Sequence, residues 1–204
     1  MNPKQDKSMV SKTASLENKH KIALVLQGGG ALGSYQAGVY EALQEGDYSP
    51  DWVAGISIGA FNGAVIAGNA PAQRVEKLRA FWNRITTWSP VLPMLPFSDV
   101  FTRQWHAASS LLFGQSGFFA PLMPFVSTGP SLSFYTTDAL RSTLEEFVDF
   151  DRLNSGETRF SVAAANVRTG DFAYFDNREI TIRAEHIMAS GALPPGFAPI
   201  EIDG

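Results

Sequence analysis

Two short stretches carry residue types that can do chemistry together. Gly55-Ile56-Ser57-Ile58-Gly59 fits the pattern G-x-S-x-G. In a tight strand-to-helix turn this pattern holds a serine hydroxyl clear of the backbone, and side chains at the two glycine positions would strike neighbouring elements. Upstream, Gly28-Gly29-Gly30-Ala31-Leu32-Gly33 fits G-x-G-x-x-G. Glycines there let backbone N–H groups converge on an anion near a helix N-terminus. Two anions suit such a cradle, a pyrophosphate or the oxyanion of an acyl-transfer intermediate. The glycine run alone does not choose between them.

The serine does. G-x-S-x-G is common by chance, so its weight comes from context: an apolar run before it, a small-residue helix after it and the glycine run upstream. On this reading Ser57 attacks an acyl carbonyl and forms an acyl-enzyme. The N–H groups of Gly29, Gly30 and Ile58 then hold the oxyanion. A dinucleotide site would need an acid about 20 residues beyond the glycines, at the end of the second strand. Asp51 has a tolerable spacing but precedes Trp52, at the start of that strand. A nucleotide-binding module is therefore the weaker alternative.

Such residues need strands that end together at one edge of a sheet. Residues 22–26 form a continuous apolar run, expected as a strand buried on both faces. Residues 34–43 have helical spacing, with Tyr35, Val39 and Leu43 on one face. Residues 52–56 read as a second strand and 58–67 as a buried helix. Residues 73–85 read as an amphipathic helix with Val75, Leu78, Phe81, Trp82 and Ile85 inward. This alternation predicts an α/β domain with a mostly parallel sheet and right-handed crossovers. Ser57 and the glycine run then meet at the C-terminal ends of adjacent strands. Beyond them come a helix over 138–147, strands over 159–166 and 172–175 joined by a turn at 168–171, a short helix over 185–192 and a last strand over 199–202.

Residues 88–135, rich in Pro, Phe and Ser, read as an apolar insertion in the domain, with a short helix over 99–112. Residues 1–20 are polar and lack the apolar run of a signal peptide, so they read as a disordered leader. The domain proper covers 21–204. The 204 residues are 45% hydrophobic and 18% charged, which suits a folded domain rather than a disordered chain. A net charge of −4 gives no basic field for nucleic acid. Cysteine is absent, so disulfides and thiolate metal sites are excluded. The longest apolar candidate for a membrane span, 107–126, is broken by Gly114, Gly117, Pro121 and Pro124.

The stretch from Leu24 to Gly33, followed by that from Trp52 to Ala60, resembles the bacterial branch of the patatin-like phospholipases. Ala189-Ser190-Gly191-Ala192-Leu193-Pro194-Pro195-Gly196-Phe197 is similar to the segment leading to the family's second catalytic motif, and 163–170 is similar to its mid-domain strand and turn. The resemblance runs from about residue 21 to the end. It implies a three-layer α/β/α domain and a Ser-Asp dyad without a catalytic histidine. The nucleophile maps to Ser57, the oxyanion hole to Gly28, Gly29, Gly30 and Ala31, and the motif glycines to Gly33, Gly55 and Gly59. The family's aspartate lies in Asp-Gly-Gly or Asp-Gly-Ala. The only candidate here, Asp203, stands before Gly204 at the chain end and reads as a hairpin turn. The expectation is therefore a domain incomplete at its C-terminus, with the true base beyond Gly204. Relatives often carry a basic residue where this chain has Leu32, which bears on head-group charge rather than acyl transfer.

The three histidines, His20, His106 and His186, read as surface or packing residues, with a Ser-His-Asp triad as the mechanistic alternative. They lack ligand spacing, so no metal and no cofactor is expected. The aromatics of the insertion read as packing and an acyl pocket, with contact to a lipid surface as the sharper alternative. The resulting expectation is a cytoplasmic serine acyl-hydrolase acting on lipid acyl esters, with peripheral membrane contact and no nucleic-acid partner. The alternatives are an inactive lipid-binding fragment lacking its aspartate, and an acyltransferase using the same serine.

Overall fold

The computed structural model describes residues 21–86, 120–121, 135–136, 138–192 and 197–203. The leader, His20, His106 and nearly all of the insertion, with its expected helix, lie outside the described residues.

Strand β1 (Ala23–Leu26) leads through a 3-10 turn (Gly30–Leu32) into helix α1 (Gly33–Glu45). Strand β2 (Trp52–Ile56) leads through Ser57 into α2 (Ile58–Ala67), and α3 (Arg74–Thr86) follows. Two short strands, β3 (Ala120–Pro121) and β4 (Tyr135–Thr136), pair antiparallel by themselves. Helices α4 (Asp138–Phe147) and α5 (Phe150–Asn154) precede strands β5 (Arg159–Ala165) and β6 (Phe172–Asp176), and α6 (Ala184–Gly191) closes the series.

The main sheet has the order β1-β2-β5-β6. β1, β2 and β5 are parallel, and β6 runs antiparallel to β5 across the turn at 168–171. This is the α/β architecture with a mostly parallel sheet expected from the alternation of patterns. The register sets Leu26 beside Gly55 and Ile56 beside Ala163. Both β1 and β2 thus end at the edge where Ser57 begins.

Each new strand of this sheet is added in the same direction. Right-handed crossovers that step in one direction all return over the same face. Helix α2 accordingly lies against the sheet and packs on α1, α3 and α6. All ten residues of α2 are buried, and its small side chains let it sit close. A Cβ on Gly63 would lie 3.0 Å from the Phe160 ring and 3.1 Å from Val53. Tyr40, Phe61, Phe81 and Phe160 fill the space around it.

The other face is different. Alternation puts Val25, Phe172 and Tyr174 on it, and they are 76%, 60% and 72% exposed. The expectation that residues 22–26 are buried on both faces is therefore corrected: only Leu24 and Leu26 turn toward the core. The described crossovers place no helix on the second face, so they supply one of the helical layers implied by the three-layer arrangement. The face assigned to α1 is corrected likewise. Tyr35 and Val39 are exposed, and Tyr40 is the helix's large buried residue. Periodicity finds a helix but cannot tell which stripe its neighbours cover.

Helix α3 buries Leu78, Phe81 and Ile85 as expected, with Val75 and Trp82 partly buried against the core. Arg74 at its start is also buried. Its guanidinium donates to the Asn69 carbonyl at 3.0 Å and the Thr158 hydroxyl at 2.9 Å, which offsets the cost of taking a cation out of water. Helix α5 is capped by Asp149, whose carboxylate accepts the Arg152 N–H at 2.9 Å. Residues 199–202 form no strand. A strand requires a ladder, and no described neighbour offers them one.

Candidate active site

Ser57 occupies the single residue between β2 and α2. Its backbone has φ 53 and ψ −132. A residue with a Cβ rarely adopts such a conformation, which costs about 1–3 kcal/mol and persists only where surrounding structure enforces it. The two flanking glycines show how it is enforced. A Cβ on Gly55 would lie 2.4 Å from the Gly59 carbonyl oxygen, and one on Gly59 would lie 2.2 Å from the Leu26 carbonyl oxygen. The turn closes this tightly because neither residue has a side chain.

Although Ser57 stands at the N-cap of α2, its hydroxyl makes no capping bond. Among the described residues Ser57 Oγ has no hydrogen-bond partner, and the residue is half-buried. The glycine loop lies alongside. A Cβ on Gly28 would sit 3.1 Å from Ser57 Cβ and 3.8 Å from Ser57 Oγ. Gly29 and Gly30 have φ 153 and 57, and Gly30 borders open space. Gly29, Gly30 and Ala31 are exposed. Among the described residues the N–H groups of Gly28, Gly29, Gly30 and Ile58 have no hydrogen-bond acceptor. The serine and the glycine loop, 29 residues apart in sequence between Gly28 and Ser57, are brought together as the motifs predict.

A polar cluster fixes the loop from behind. Gln36 in α1 donates from Nε2 to the Gln27 carbonyl at 2.7 Å, just before the glycines. Asn62 in α2 donates from Nδ2 to the Gly33 carbonyl at 2.8 Å and to Gln36 Oε1 at 2.9 Å. Trp82 Nε1–H donates to Asn62 Oδ1 at 2.9 Å. Both ends of the glycine loop are thus tied to Asn62 of α2, the Gln27 end through Gln36. Gly33 also packs directly there: a Cβ on it would lie 2.5 Å from the Ile58 side chain.

On the other side, Ser190 at the end of α6 meets the elbow itself. Its hydroxyl accepts the Ser57 N–H at 2.7 Å and donates to the Ala163 carbonyl at 2.5 Å. Sequence reasoning assigned no role to Gln36, Asn62 or Ser190. Asn62 had a signal, a polar residue within an apolar buried helix, which must find partners. Ser190 had none beyond its place in the segment 189–197.

Among the described residues no titratable side chain hydrogen-bonds Ser57. His186 is buried, its ring against Phe175 with centroids 4.7 Å apart, and its Nδ1 accepts the Arg183 N–H at 2.9 Å. Burial, with the nearby Arg183 charge, lowers its pKa below the usual histidine range and outweighs the pull of Asp203 and Glu185. It is a packed neutral histidine, as expected. Asp203 has φ 51 and an 80% exposed side chain whose Oδ1 lies 3.4 Å from Arg183 Nη2. Asp51 accepts the Ile22 N–H at 2.9 Å, at the start of β1 and so at the edge opposite the glycine loop. That position does not suit the acid of a dinucleotide site. Among the described residues no group of His, Asp and Glu could hold a metal ion, and no helix is long and apolar enough to cross a membrane.

A strained serine between strand and helix, beside a glycine loop at the edge of a parallel sheet, has the geometry of the strand-to-helix turn that G-x-S-x-G sequences form. The family model described as patatin-like phospholipase matches residues 24–204, and the chain belongs to that family. Patatin-like phospholipase domain-containing protein 6 of Mus musculus is 39% identical over 95 residues, which cover 45% of this chain and 7% of that protein. The lysophospholipase nte1 of Aspergillus terreus is 53% identical over 49 residues, 24% of this chain and 3% of that protein. The crystal structure of VipD from Legionella pneumophila superposes with a TM-score of 0.50 at 16% identity, over 90% of this chain and 44% of that one. The likeness to VipD is one of fold. The chain spans less than a tenth of the two curated relatives and under half of VipD.

Proposed function

We propose that this chain carries a serine acyl-hydrolase site that cleaves lipid acyl esters. The observation that carries the reading is the strained Ser57 with its hydroxyl uncommitted among the described residues and the Gly28 backbone against it. Ser57 Oγ attacks the ester carbonyl, its proton passes to a base, and the alcohol leaves. Water then releases the acid from the acyl-enzyme. The N–H groups of Gly29, Gly30 and Ile58, with Gly28 and Ala31 shaping the loop, hold the oxyanion; each such donor is worth about 3 kcal/mol in the barrier. The resemblance implies an aspartate base. Family membership supports a lipid substrate. The exposed Leu32, Tyr35 and Val39, which run from the glycine loop along α1, support peripheral contact with a lipid surface.

A second reading is a catalytically silent lipid-binding domain. It is favoured by one observation, the exposed Asp203 carboxylate paired with Arg183 rather than with Ser57. A fluorophosphonate ester separates the two, because it phosphonylates only an activated serine. The hydrolase reading expects a single adduct on Ser57, absent from Ser57→Ala, together with ester turnover lost in the same variant. An unlabelled Ser57 would leave the binding domain as the better account.

A further inference from the structure

We infer that Ser190 is a positioning residue for the nucleophile, acting as a hydroxyl clasp that decides which backbone N–H groups face the oxyanion. The inference rests on the serine-hydrolase reading and extends it to a residue in a different element.

The chemistry of a hydroxyl makes the clasp specific. It has one proton to give and can accept from a donor. Ser190 gives its proton to the Ala163 carbonyl on β5 and accepts the Ser57 N–H. The first bond orients the oxygen, and the second pulls the Ser57 amide toward it. Three elements meet there: the end of β2, the strand beside it and the last turn of α6. Gly191, next in sequence, brings that turn close, since a Cβ on it would lie 2.9 Å from the Phe61 ring of α2.

Two consequences follow. The Ser57 amide is committed and is not an oxyanion donor, so the oxyanion falls to Ile58 and the glycine loop. Some serine hydrolases use the nucleophile's own N–H instead. The clasp also pins the residue whose backbone stands at φ 53. With the amide held by Ser190 and the Gly28 backbone close beside Cβ, the Cα–Cβ direction of Ser57 is fixed relative to the glycine loop.

The test uses the full chain with Ser190→Ala and Ser190→Thr. Amide exchange at Ser57 reads the bond directly and does not depend on activity. Ser190→Ala is expected to speed Ser57 exchange by at least ~10-fold while Val53 and Phe160 amides keep their rates. Ser190→Thr, which keeps the hydroxyl, is expected to restore protection. Misplacing a reacting group by a fraction of an ångström costs on the order of 10- to 100-fold in rate. Fluorophosphonate labelling of Ser57 and kcat for an ester are therefore expected to fall by that factor in Ser190→Ala, with KM within ~3-fold, and to recover in Ser190→Thr. Unchanged Ser57 exchange in Ser190→Ala overturns the clasp, and so does equal acceleration at Val53, which would mark general loosening. Normal labelling of Ser57 in Ser190→Ala overturns the positioning role while leaving the hydrolase reading intact. A wild-type Ser57 that takes no label defeats the hydrolase reading, and the positioning role with it.

Discussion

The Cβ that Gly59 lacks would lie 2.2 Å from the carbonyl oxygen of Leu26, so the elbow helix and the end of β1 touch backbone to backbone. No flexible side chain can yield there. Gly59→Ala must push α2 away from the sheet, and overpacking costs about 1–3 kcal/mol, here toward the upper end because only backbone can move. Gly30→Ala is the control. Its Cβ meets nothing within 4 Å, but its φ of 57 leaves a strain of about 1 kcal/mol. Denaturant unfolding of the two variants should separate them by about 2 kcal/mol. Equal losses would mean that the close approach of α2 to β1 is not what the glycine serves.

The strain at Ser57 gives a second expectation, one that sets stability against activity. Ser57→Ala removes the hydroxyl but keeps a Cβ at φ 53, whereas Ser57→Gly removes both the hydroxyl and the steric conflict. Glycine loses more chain entropy on folding, about 0.5–1 kcal/mol, but relief of the strained backbone is worth about 1–3 kcal/mol. Ser57→Gly should therefore be more stable than Ser57→Ala by about 1 kcal/mol, while both are inactive. A glycine variant no more stable than the alanine one would show that the elbow is unstrained.

The cluster behind the glycine loop separates positioning from folding. Asn62 is wholly buried and serves Gly33, Gln36 and Trp82. Asn62→Ala leaves the Trp82 indole N–H and Gln36 Oε1 without these partners and the Gly33 carbonyl with only its bond inside α1, at a cost of about 2–3 kcal/mol. Gln36 lies nearer the surface, and its bond to the Gln27 carbonyl holds the start of the loop. Gln36→Ala should lower kcat about 10-fold yet cost under about 1 kcal/mol in unfolding. Paired kinetics and thermal melts check both, and an Asn62→Ala protein with wild-type melting would remove the cluster from the account.

The elements around Ser57 were legible in the sequence because their constraints are local. The run at 52–56 and the small-residue helix at 58–67, with Ser57 alone between them, appear with the expected bounds. What could not be read depends on neighbours distant in the chain. The outer face of β1 looks apolar at Val25, and only the one-directional strand order explains why that residue is exposed. The burial of Tyr40 rather than Tyr35 follows from where α2 and α3 lie, which helical spacing does not encode. Ser190 was hidden for the same reason. It stands 133 residues from Ser57, and a lone serine near a helix end has no pattern to mark it.

His186 makes the stability of this fold depend on pH in a defined direction. Burial lowers its pKa, so below the ordinary histidine value of about 6.5 the unfolded chain binds a proton that the folded chain does not. Stability therefore rises with pH through that window, and it is lost as pH falls from about 6.5 toward the lowered folded value. Asp176 responds in a lower window. Burial raises its pKa, but hydrogen bonds from Ser161, the Arg178 N–H and Arg159, with the Arg159 charge, lower it further than burial lifts it. Its contribution persists until pH falls below the usual carboxylate range of about 4. Unfolding curves between pH 7.5 and pH 5, on the order of two units around the histidine value, should thus report His186 and not Asp176. His186→Gln removes the titrating group and should flatten the slope in that range, whatever its effect on absolute stability. An unchanged slope would assign the pH dependence to another group.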